Sequence, residues 1–279
     1  MGIVNASADS FSDGGAYGTL DAQVARALAL VEEGAAIIDV GGESGVTDTA
    51  PRTPEEEAAL VVPLVERLAA EGVVVSVDTW KPAVAEAALV AGAAIINDVS
   101  GLRDAGLAEA CARHGGALVV MHTRAEPKKK EFPDYAGDVV GDVERFLAEK
   151  LELARSLGVA DESLVVDPGP DFAKTPAETV AVLRALPGLA RFGRPVLLAV
   201  SRKDFVGALT STSPWDRGAG TLAAVGEGVD AGALILRVHE VAETARYLAV
   251  RSALRGEVEV PTDLVLPVHL RRKRVEPAG

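Results

Sequence analysis

A repeated alternation of short apolar runs and longer helical stretches is the feature of this sequence that limits its fold most. Eight runs rich in valine, isoleucine, leucine and alanine recur along the chain, and polar residues follow each of them. Runs that are apolar throughout, rather than at every second position, are typical of parallel strands covered on both faces. The runs occupy residues 2–4, 36–40, 73–77, 94–96, 117–121, 164–166, 196–200 and 233–236.

The segments between these runs have the spacing of amphipathic helices. One of them has a strong start signal, because three glutamates follow Pro54, and both proline and carboxylates favour the first helical turn. Eight strands that alternate with helices indicate a single (β/α)8 TIM barrel with eight parallel strands, rather than an open doubly wound α/β sheet. The predicted helices are residues 21–33, 54–70, 82–90, 105–114, 139–157, 177–185, 215–229 and 241–254.

The length of 279 residues suits one barrel domain, since such domains use about 250 residues. We expect a barrel over residues 1–260 and a C-terminal tail over residues 261–279. Residues 270–279 carry four basic side chains, but a frayed end is expected there rather than a binding arm. The lysine-rich loop over residues 123–138 is expected to be a solvated surface excursion rather than an anion site.

Charge and composition exclude several classes of protein. The net charge of −13 argues against a protein that binds nucleic acid or an anionic membrane surface. No apolar run approaches the length of about 18 residues that a transmembrane helix needs, and the first residues lack a signal-peptide pattern. Cys111 is the only cysteine, which excludes a disulfide framework and a thiolate zinc site and fits a reducing cytoplasm.

Polar residues of mixed chemistry follow the apolar runs. In a barrel of this type the carboxyl ends of the strands carry the chemistry, so these residues are expected to face a common mouth. For any single one, an ordinary exposed residue is as good an interpretation, but stability alone does not require the whole mixture. The set is Asn5, Glu43, Asp78, Asn97, Asp98, His122, Asp167, Ser201, Arg202, Lys203, Arg237 and His239.

This mixture matches a flat heterocycle with an amidine-like edge. Asp167 and Asp78 can accept the paired hydrogen bonds of such an edge, Asn97 can read a ring nitrogen, and Lys203 can donate to a ring carbonyl. Three further residues suit phosphate oxygens, with or without a divalent metal. They are Asn5, Arg237 and His239.

Three members of the set have simpler interpretations that we favour or leave open. We expect Asp98 to cap the segment that follows it, and His122 to be a satisfied core or rim histidine. Arg202 is equally well explained as a surface residue.

The motifs around these residues resemble dihydropteroate synthases, in the order in which that family has them, from residue 2 to about residue 245. Each motif alone is a weak signal, whereas SVDT, INDVSG, SRK and RVH in this order form a highly specific combination. The matching segments are GIVNASADSFSDGG, IIDVGGES, SVDTWKPAVAEAAL, AAIINDVSGL, VVMH, DPGPDFAKT, SRKDFVG, AGTLAA and ILRVHEV.

The resemblance implies condensation of 7,8-dihydropterin pyrophosphate with 4-aminobenzoate, a requirement for Mg²⁺, a homodimer and a sulfonamide target. It carries the family's pterin pocket over to Asp78, Asn97, Asp167 and Lys203, which we take as the catalytic residues. It places the pyrophosphate at Asn5, Arg237 and His239, with Asn5 also contacting the metal. It places 4-aminobenzoate near Phe172, Ser201 and Lys203, with Phe11 of the first loop as a further substrate-binding residue.

Departures from the family's pattern fall in the loops. Val46 stands where the family has an arginine that orders the first loop, and Arg52 or Arg124 is a candidate replacement. Residues 170–173 read PDFA where glycines are usual. Two alternatives to an active synthase therefore stay open. One is a paralogue that binds pterin without condensation, and the other is a pterin-binding barrel that transfers a methyl group from methyltetrahydrofolate to a corrinoid protein.

Overall fold

The protein was examined as a computed structural model, which describes residues 1–6, 18–43 and 50–271. The strands of these residues are β1 (Gly2–Asn5), β2 (Ile38–Gly41), β3 (Val75–Asp78), β4 (Ile95–Asp98), β5 (Ala117–Met121), β6 (Leu164–Asp167), β7 (Leu197–Leu198) and β8 (Ile235–Leu236). The helices are α1 (Leu20–Glu32), α2 (Pro54–Ala70), α3 (Pro82–Val90), α4 (Gly106–His114), α5 (Val139–Ser156), α6 (Pro176–Arg184), α7 (Asp204–Thr210), α8 (Gly218–Asp230) and α9 (Val241–Leu254). The expected alternation of strands and helices is confirmed.

The strands form an α/β fold with a parallel sheet of six strands in the order β1 to β6, and β7 pairs with β8 in a second parallel sheet. Isolated parallel bridges join the two sheets at both sides. Val166 of β6 pairs with Val196, and Gly2 of β1 pairs with Val238.

The register of the six-stranded sheet places polar residues at one edge. Gly41 pairs with Asp78, Asp78 pairs with Asn97, and Met121 pairs with Asp167. Because parallel strands all end at the same edge, these side chains lie at a common rim.

Strands β2 to β7 are almost entirely buried on both faces, as continuous apolar runs predict, whereas β1 is buried at every second residue and β8 is partly exposed. Alternate side chains point to opposite faces of a strand, and neighbouring residues of β4 accordingly belong to different apolar clusters. Ile96 packs in the larger cluster between strands and helices. Ile95 packs in a smaller cluster with Val119, Val165 and Leu197 on the other face.

Local signals explain where two of the helices begin. Thr53 accepts a hydrogen bond from the main-chain N–H of Glu56 while Glu56 accepts one from the main-chain N–H of Thr53, so a capping box starts α2 at Pro54. Thr175 and Glu178 form the same arrangement before α6.

Some boundaries differ from the prediction. The seven-residue helix α7 was not predicted, and α8 begins at Gly218 rather than at Trp215, because residues 214–216 form a 3₁₀ turn. Strand β7 is shorter than the apolar run over residues 196–200. Beyond α9, residues 255–271 are exposed. In the described part of the chain, no helix combines the length and the apolar character needed to cross a membrane.

Candidate active site at the carboxyl ends of the strands

A cavity of about 670 Å³ opens at the carboxyl ends of the strands. Most of the predicted site residues line it, and the strand ends and the loops after them bring these residues together. Those that line the cavity are Asn5, Asp78, Phe172, Ser201, Lys203, Arg237 and His239. Asn97 and Asp167 do not line it, since they are only 2% and 3% exposed. Phe11 lies outside the described residues.

Arg237 lies between two carboxylates. Its Nε donates to Asp39 Oδ2 at 2.6 Å, and its Nη2 donates to Asp78 Oδ2 at 2.9 Å. Asn97 Nδ2 donates to the same oxygen of Asp39 at 3.2 Å. The fully buried Asp39 was not predicted, because it lies inside the apolar run of β2, although a carboxylate within such a run is itself a signal.

Burial dominates the titration of the two predicted carboxylates. Burial raises the pKa of Asp78 to about 7, against the opposing charge of Arg237 and with the support of Asp39, Glu57 and Asp98. Burial also raises the pKa of Asp167 to about 6. There the main-chain N–H of Gly169, which donates to Asp167 Oδ1 at 2.7 Å, opposes the effect.

Lys203 and Phe172 lie against each other at the cavity wall. The Lys203 ammonium is 4.2 Å from the centre of the Phe172 ring, a cation–π contact. Burial lowers the pKa of Lys203, while Asp171 and Asp167 oppose that change.

Ser201 and His239 form a hydrogen-bonded pair at the ends of β7 and β8. Ser201 Oγ lies 2.9 Å from His239 Nδ1, and the main-chain N–H of His239 donates to Ser201 Oγ at 3.2 Å. Burial lowers the pKa of His239 to about 3, and the charges of Arg237, Arg202 and Lys203 act in the same direction. The imidazole is therefore neutral at physiological pH.

Arg202, for which a surface position was left open, also lines the cavity. Its guanidinium forms an ion pair with Glu240 and stacks 4.5 Å from the centre of the Trp215 ring. It adds positive charge beside His239.

Lys174 is a buried lysine that the sequence analysis missed. It is 1% exposed, and its ammonium donates to the main-chain oxygens of Gly169 at 2.8 Å, Phe172 at 3.1 Å and His122 at 3.3 Å. Burial lowers its pKa to about 7. These three hydrogen bonds hold the β6–α6 loop in place. The role of Lys174 can be recognised only once the loop is folded.

The loop over residues 123–138 is not simply solvated. Lys128 Nζ lies 2.8 Å from Glu43 Oε1, with both side chains largely buried, so the loop reaches across the cavity to the end of β2. Lys81 joins Glu43 to the buried Glu57 at 2.6 and 2.5 Å. The expectation of a solvated excursion was therefore wrong for Lys128, because a carboxylate from a distant loop meets it.

Three other interpretations can be compared with the structure. Asp98 accepts hydrogen bonds from the main-chain N–H groups of Ser100 and Leu102 at 2.7 and 2.5 Å, which confirms its role as a cap. His122 is fully buried, as expected of a core histidine, with Nε2 2.9 Å from Asp142. Its Nδ1 has no hydrogen-bond partner among the described residues, so the expectation of a satisfied ring was wrong for that atom. Arg124 donates to the same Asp142 at 2.8 and 2.9 Å. Val46, for which Arg124 was a candidate replacement, lies outside the described residues.

The described residues contain no group of three or more His, Cys, Asp or Glu side chains that could hold a metal ion. Asn5, the predicted metal ligand, lines the cavity. Arg237 and His239, the predicted pyrophosphate ligands, line it as well.

Comparisons with known proteins identify the family. The profile of the family described as "Pterin binding enzyme" matches residues 1–239. The dihydropteroate synthase of Bacillus subtilis (strain 168) is 40% identical over 256 residues, which cover 91% of this chain and 87% of that protein.

Two solved structures have the same fold. The Xanthomonas albilineans dihydropteroate synthase with 4-aminobenzoic acid superposes with a TM-score of 0.85 at 44% identity, covering 94% of this chain and 93% of that one. The Yersinia pestis dihydropteroate synthase in a sulfonamide complex gives 0.86 at 37% identity, covering 92% and 94%. With a family profile that spans most of the sequence and a relative at 40% identity, the chain belongs to the dihydropteroate synthase family of pterin-binding enzymes.

Proposed function

We propose that the protein condenses 7,8-dihydropterin pyrophosphate with 4-aminobenzoate, giving dihydropteroate and pyrophosphate. The observation that carries this proposal is one cavity lined by Asp78, Lys203, Arg237 and His239, together with the buried Asp167 at the end of β6. Similarity to dihydropteroate synthases over 91% of the chain supports the same reaction.

Recognition of the pterin ring uses buried polar groups. Asp167, with a pKa of about 6, is largely ionised at pH 7 and can accept two parallel hydrogen bonds from an amidine-like edge. Asn97 and Asp78 form hydrogen bonds with the other polar atoms of the ring edge, and Lys203 donates to the ring carbonyl. Because Asp78 and Lys203 line the cavity and lose water when it fills, a ligand without the matching groups would not replace those hydrogen bonds.

Departure of the pyrophosphate is the step that the basic residues promote. The bond between the pterin methylene carbon and the pyrophosphate oxygen breaks, and the electron-rich ring stabilises positive charge on that carbon. Arg237 offers charged hydrogen bonds to the leaving anion, whereas His239 meets it as a neutral donor. The amine of 4-aminobenzoate then attacks the carbon and loses a proton, and no strong base is needed.

Mg²⁺ is part of the proposal. This ion keeps several of its waters and commonly binds through one or two protein groups together with substrate phosphates. The amide oxygen of Asn5, in a cavity shared with Arg237 and His239, fits so sparse a set of protein ligands. When bound, the ion would neutralise charge on the pyrophosphate.

The aminobenzoate subsite is proposed at the outer part of the cavity. Phe172 gives an apolar face for the aromatic ring, and Ser201 and Lys203 suit its carboxylate. Phe11, from the first loop, is proposed as a further contact. The amine is thereby held close to the reacting carbon, and the gain from such positioning is mainly orientational.

The experiment that tests the function measures pyrophosphate release from dihydropterin pyrophosphate with and without 4-aminobenzoate. Release that depends on 4-aminobenzoate, and that a sulfonamide inhibits competitively, is expected. Lys203→Ala and Asp167→Ala should abolish turnover. Lys150→Ala and Asp161→Ala are matched controls outside the cavity and should keep it. Wild-type turnover in either cavity variant would count decisively against the site.

A second candidate function is pterin binding without condensation. The observation in its favour is Val46, which cannot form the charged hydrogen bonds of the family's arginine. Isothermal titration with dihydropterin pyrophosphate, and with 4-aminobenzoate plus pyrophosphate, separates the two. Binding of the pterin alone would support the second candidate, and binding of both would remove the case for it.

The proposal extends to the architecture. The eight strands are proposed to form a closed (β/α)8 barrel over residues 1–260, followed by a tail over residues 261–279. The two bridges between the sheets support closure.

A homodimer in a reducing cytoplasm completes the proposal. The family resemblance supports the dimer, and the single, buried Cys111 supports the reducing compartment. Sedimentation velocity checks the oligomeric state, and a single species at the mass of one chain would contradict the dimer.

A further inference from the structure

The loop between β6 and α6 has an unusual backbone for its sequence. Asp171 has a φ of 62° and Ala173 a φ of 55°, at positions where the family usually has glycine. Residues other than glycine rarely adopt this left-handed backbone conformation, and such backbone strain persists only where surrounding contacts hold the loop. The contacts of Asp171 therefore need an explanation.

Asp171 ties its loop to two helices. Its main-chain N–H donates to Thr179 Oγ1 at 3.0 Å, and the same hydroxyl donates to Asp171 Oδ1 at 3.0 Å. Its other oxygen, Oδ2, accepts from the main-chain N–H of Phe205 at 3.1 Å. Thr179 belongs to α6 and Phe205 to the first turn of α7, which has no cap from its own N-cap residue. Asp171 thus supplies the side-chain cap of α7 from another loop.

These contacts fix the two sides of one part of the cavity wall. Lys203 is the N-cap residue of α7, and Phe172 directly follows Asp171 in the chain. The Lys203 ammonium lies 4.2 Å from the centre of the Phe172 ring. A displacement of Asp171 would therefore move both groups.

Asp171 also acts on the charge of Lys203. Burial is the largest effect and lowers the pKa of Lys203, and the carboxylate of Asp171 is the strongest of the groups that oppose it. Asp167 and Asp78 act like Asp171, whereas Arg237 acts with burial. Lys174 is a further cation that senses Lys203, because the charge of Lys203 lowers its pKa.

We propose that Asp171 is a positioning residue which holds Lys203 and Phe172 at the cavity wall and supplies negative charge close to the Lys203 ammonium. The inference rests on the proposed function only in taking the pterin as the partner of Lys203. In this chain the Asp171 carboxylate forms side-chain contacts and carries a negative charge, neither of which a glycine at this position could provide.

The test uses two variants that remove the charge and two controls. Asp171→Asn keeps the shape of the side chain and tolerates positive φ, and Asp171→Gly relieves the strain, so at least one of them is expected to fold. Thr179→Val removes the hydroxyl that holds the loop but no charge. Asp161→Asn removes a charge far from the cavity. Thermal unfolding checks that each variant is folded.

The measurement is the titration midpoint of Lys203 without ligand, from NMR of protein with ¹³C-methylated lysines, assigned with Lys203→Arg. Loss of the Asp171 charge should lower the midpoint by about one pH unit. Thr179→Val, which loosens the loop but keeps the charge, should lower it by less, and Asp161→Asn should not move it. The affinity for dihydropterin pyrophosphate should fall at alkaline pH, and in the Asp171 variants this fall should begin at a correspondingly lower pH.

An unchanged midpoint in Asp171→Asn and Asp171→Gly would overturn the inference. So would an equal shift in Thr179→Val, since the effect would then come from loop position alone. A wild-type protein that titrates as expected but releases no pyrophosphate would overturn the proposed function and leave this inference standing.

Discussion

Asp39 holds the basic and amide groups of the site although it does not line the cavity. One of its oxygens accepts hydrogen bonds from Arg237 and Asn97, and Arg237 reaches on to Asp78. Asp39 is fully buried, and a buried charge is tolerated only with partners. Arg237, the proposed pyrophosphate ligand, is therefore held in position by a residue that does not line the cavity.

Replacing Asp39 with alanine should destabilise the protein strongly. The guanidinium of Arg237 would lose its shortest contact, and breaking a buried ion pair by removing one partner costs about 3–5 kcal/mol. Urea unfolding measures the loss of unfolding free energy. Asp161→Ala is the control, because that side chain is half exposed and should change the value by less than about 0.5 kcal/mol. Equal stability of the two variants would contradict the role given to Asp39.

The affinity for the pterin ring should fall at acidic pH. Burial raises the pKa of Asp167 to about 6, and only its ionised form can accept both hydrogen bonds of the ring. Below that pH the affinity should fall about tenfold per pH unit. The ligand for this titration is 6-hydroxymethyl-7,8-dihydropterin, because it has no phosphate that titrates in the same range.

Unfolding does not explain such a loss. Since the pKa of Asp167 is higher in the folded protein than in the unfolded chain, the folded form binds this proton more tightly. The contribution of Asp167 to stability is therefore complete below about pH 4 and is lost as the pH rises through about 6. Asp167→Asn should bind weakly and should lose the part of this dependence with a midpoint near pH 6, whereas Asp78, with a pKa of about 7, titrates in both proteins. A flat wild-type affinity between pH 7 and 5 would refute the assignment.

Single residues of the site were predictable to the extent that they follow an apolar run. Asp78, Lys203 and Arg237 stand directly after or close behind such runs, and the structure brings them to one cavity. Asp39 and Lys174 escaped because one lies within a run and the other in a loop. The partners of Asp39 are distant in sequence, and Lys174 donates to main-chain oxygens that only the folded loop brings together, so local pattern carries no information about either role.

At the scale of the elements, α7 shows why short helices escape sequence patterns. Seven residues are too few to show a helical period, and the side-chain cap of this helix comes from Asp171 in another loop. The start of α2, in contrast, was predicted at Pro54 because its signals are all local.

The capping boxes of α2 and α6 offer a test at the same scale. Thr53→Ala and Thr175→Ala should each lower the unfolding free energy by about 1 kcal/mol, because each leaves a first-turn N–H without its acceptor. Urea unfolding checks this. Only Thr175→Ala should also raise the KM for 4-aminobenzoate, since α6 begins just after the loop of Phe172. Thr175→Ser should restore both quantities, and a serine variant as impaired as the alanine variant would exclude capping as the cause.

At the scale of the molecule, the sequence predicted the number and order of the strands better than their pairing. Eight apolar runs were read as eight strands, and the described residues contain a six-stranded sheet and a two-stranded sheet joined by single bridges. Where ladder pairing gives way to an isolated bridge depends on the meeting of chain segments far apart in sequence. The sequence of an apolar run therefore does not predict that geometry.

Hydrogen exchange can establish whether the two seams close the ring of strands. The main-chain N–H of Val166 donates to Pro195 at 3.0 Å, and that of Val238 donates to Met1 at 3.0 Å. In a closed barrel these amides open only with the strands around them, so they should exchange about as slowly as the amides of β3 and β4.

The seam at Val238 also bears on the site, because Arg237 precedes it and Asn5 ends the strand on its other side. The exposed residues 255–271 provide the fast-exchange reference in the same protein. If Val166 and Val238 exchanged at that fast rate, the sheet would be open at its seams. Arg237 and Asn5 would then not be held together rigidly enough to share one pyrophosphate.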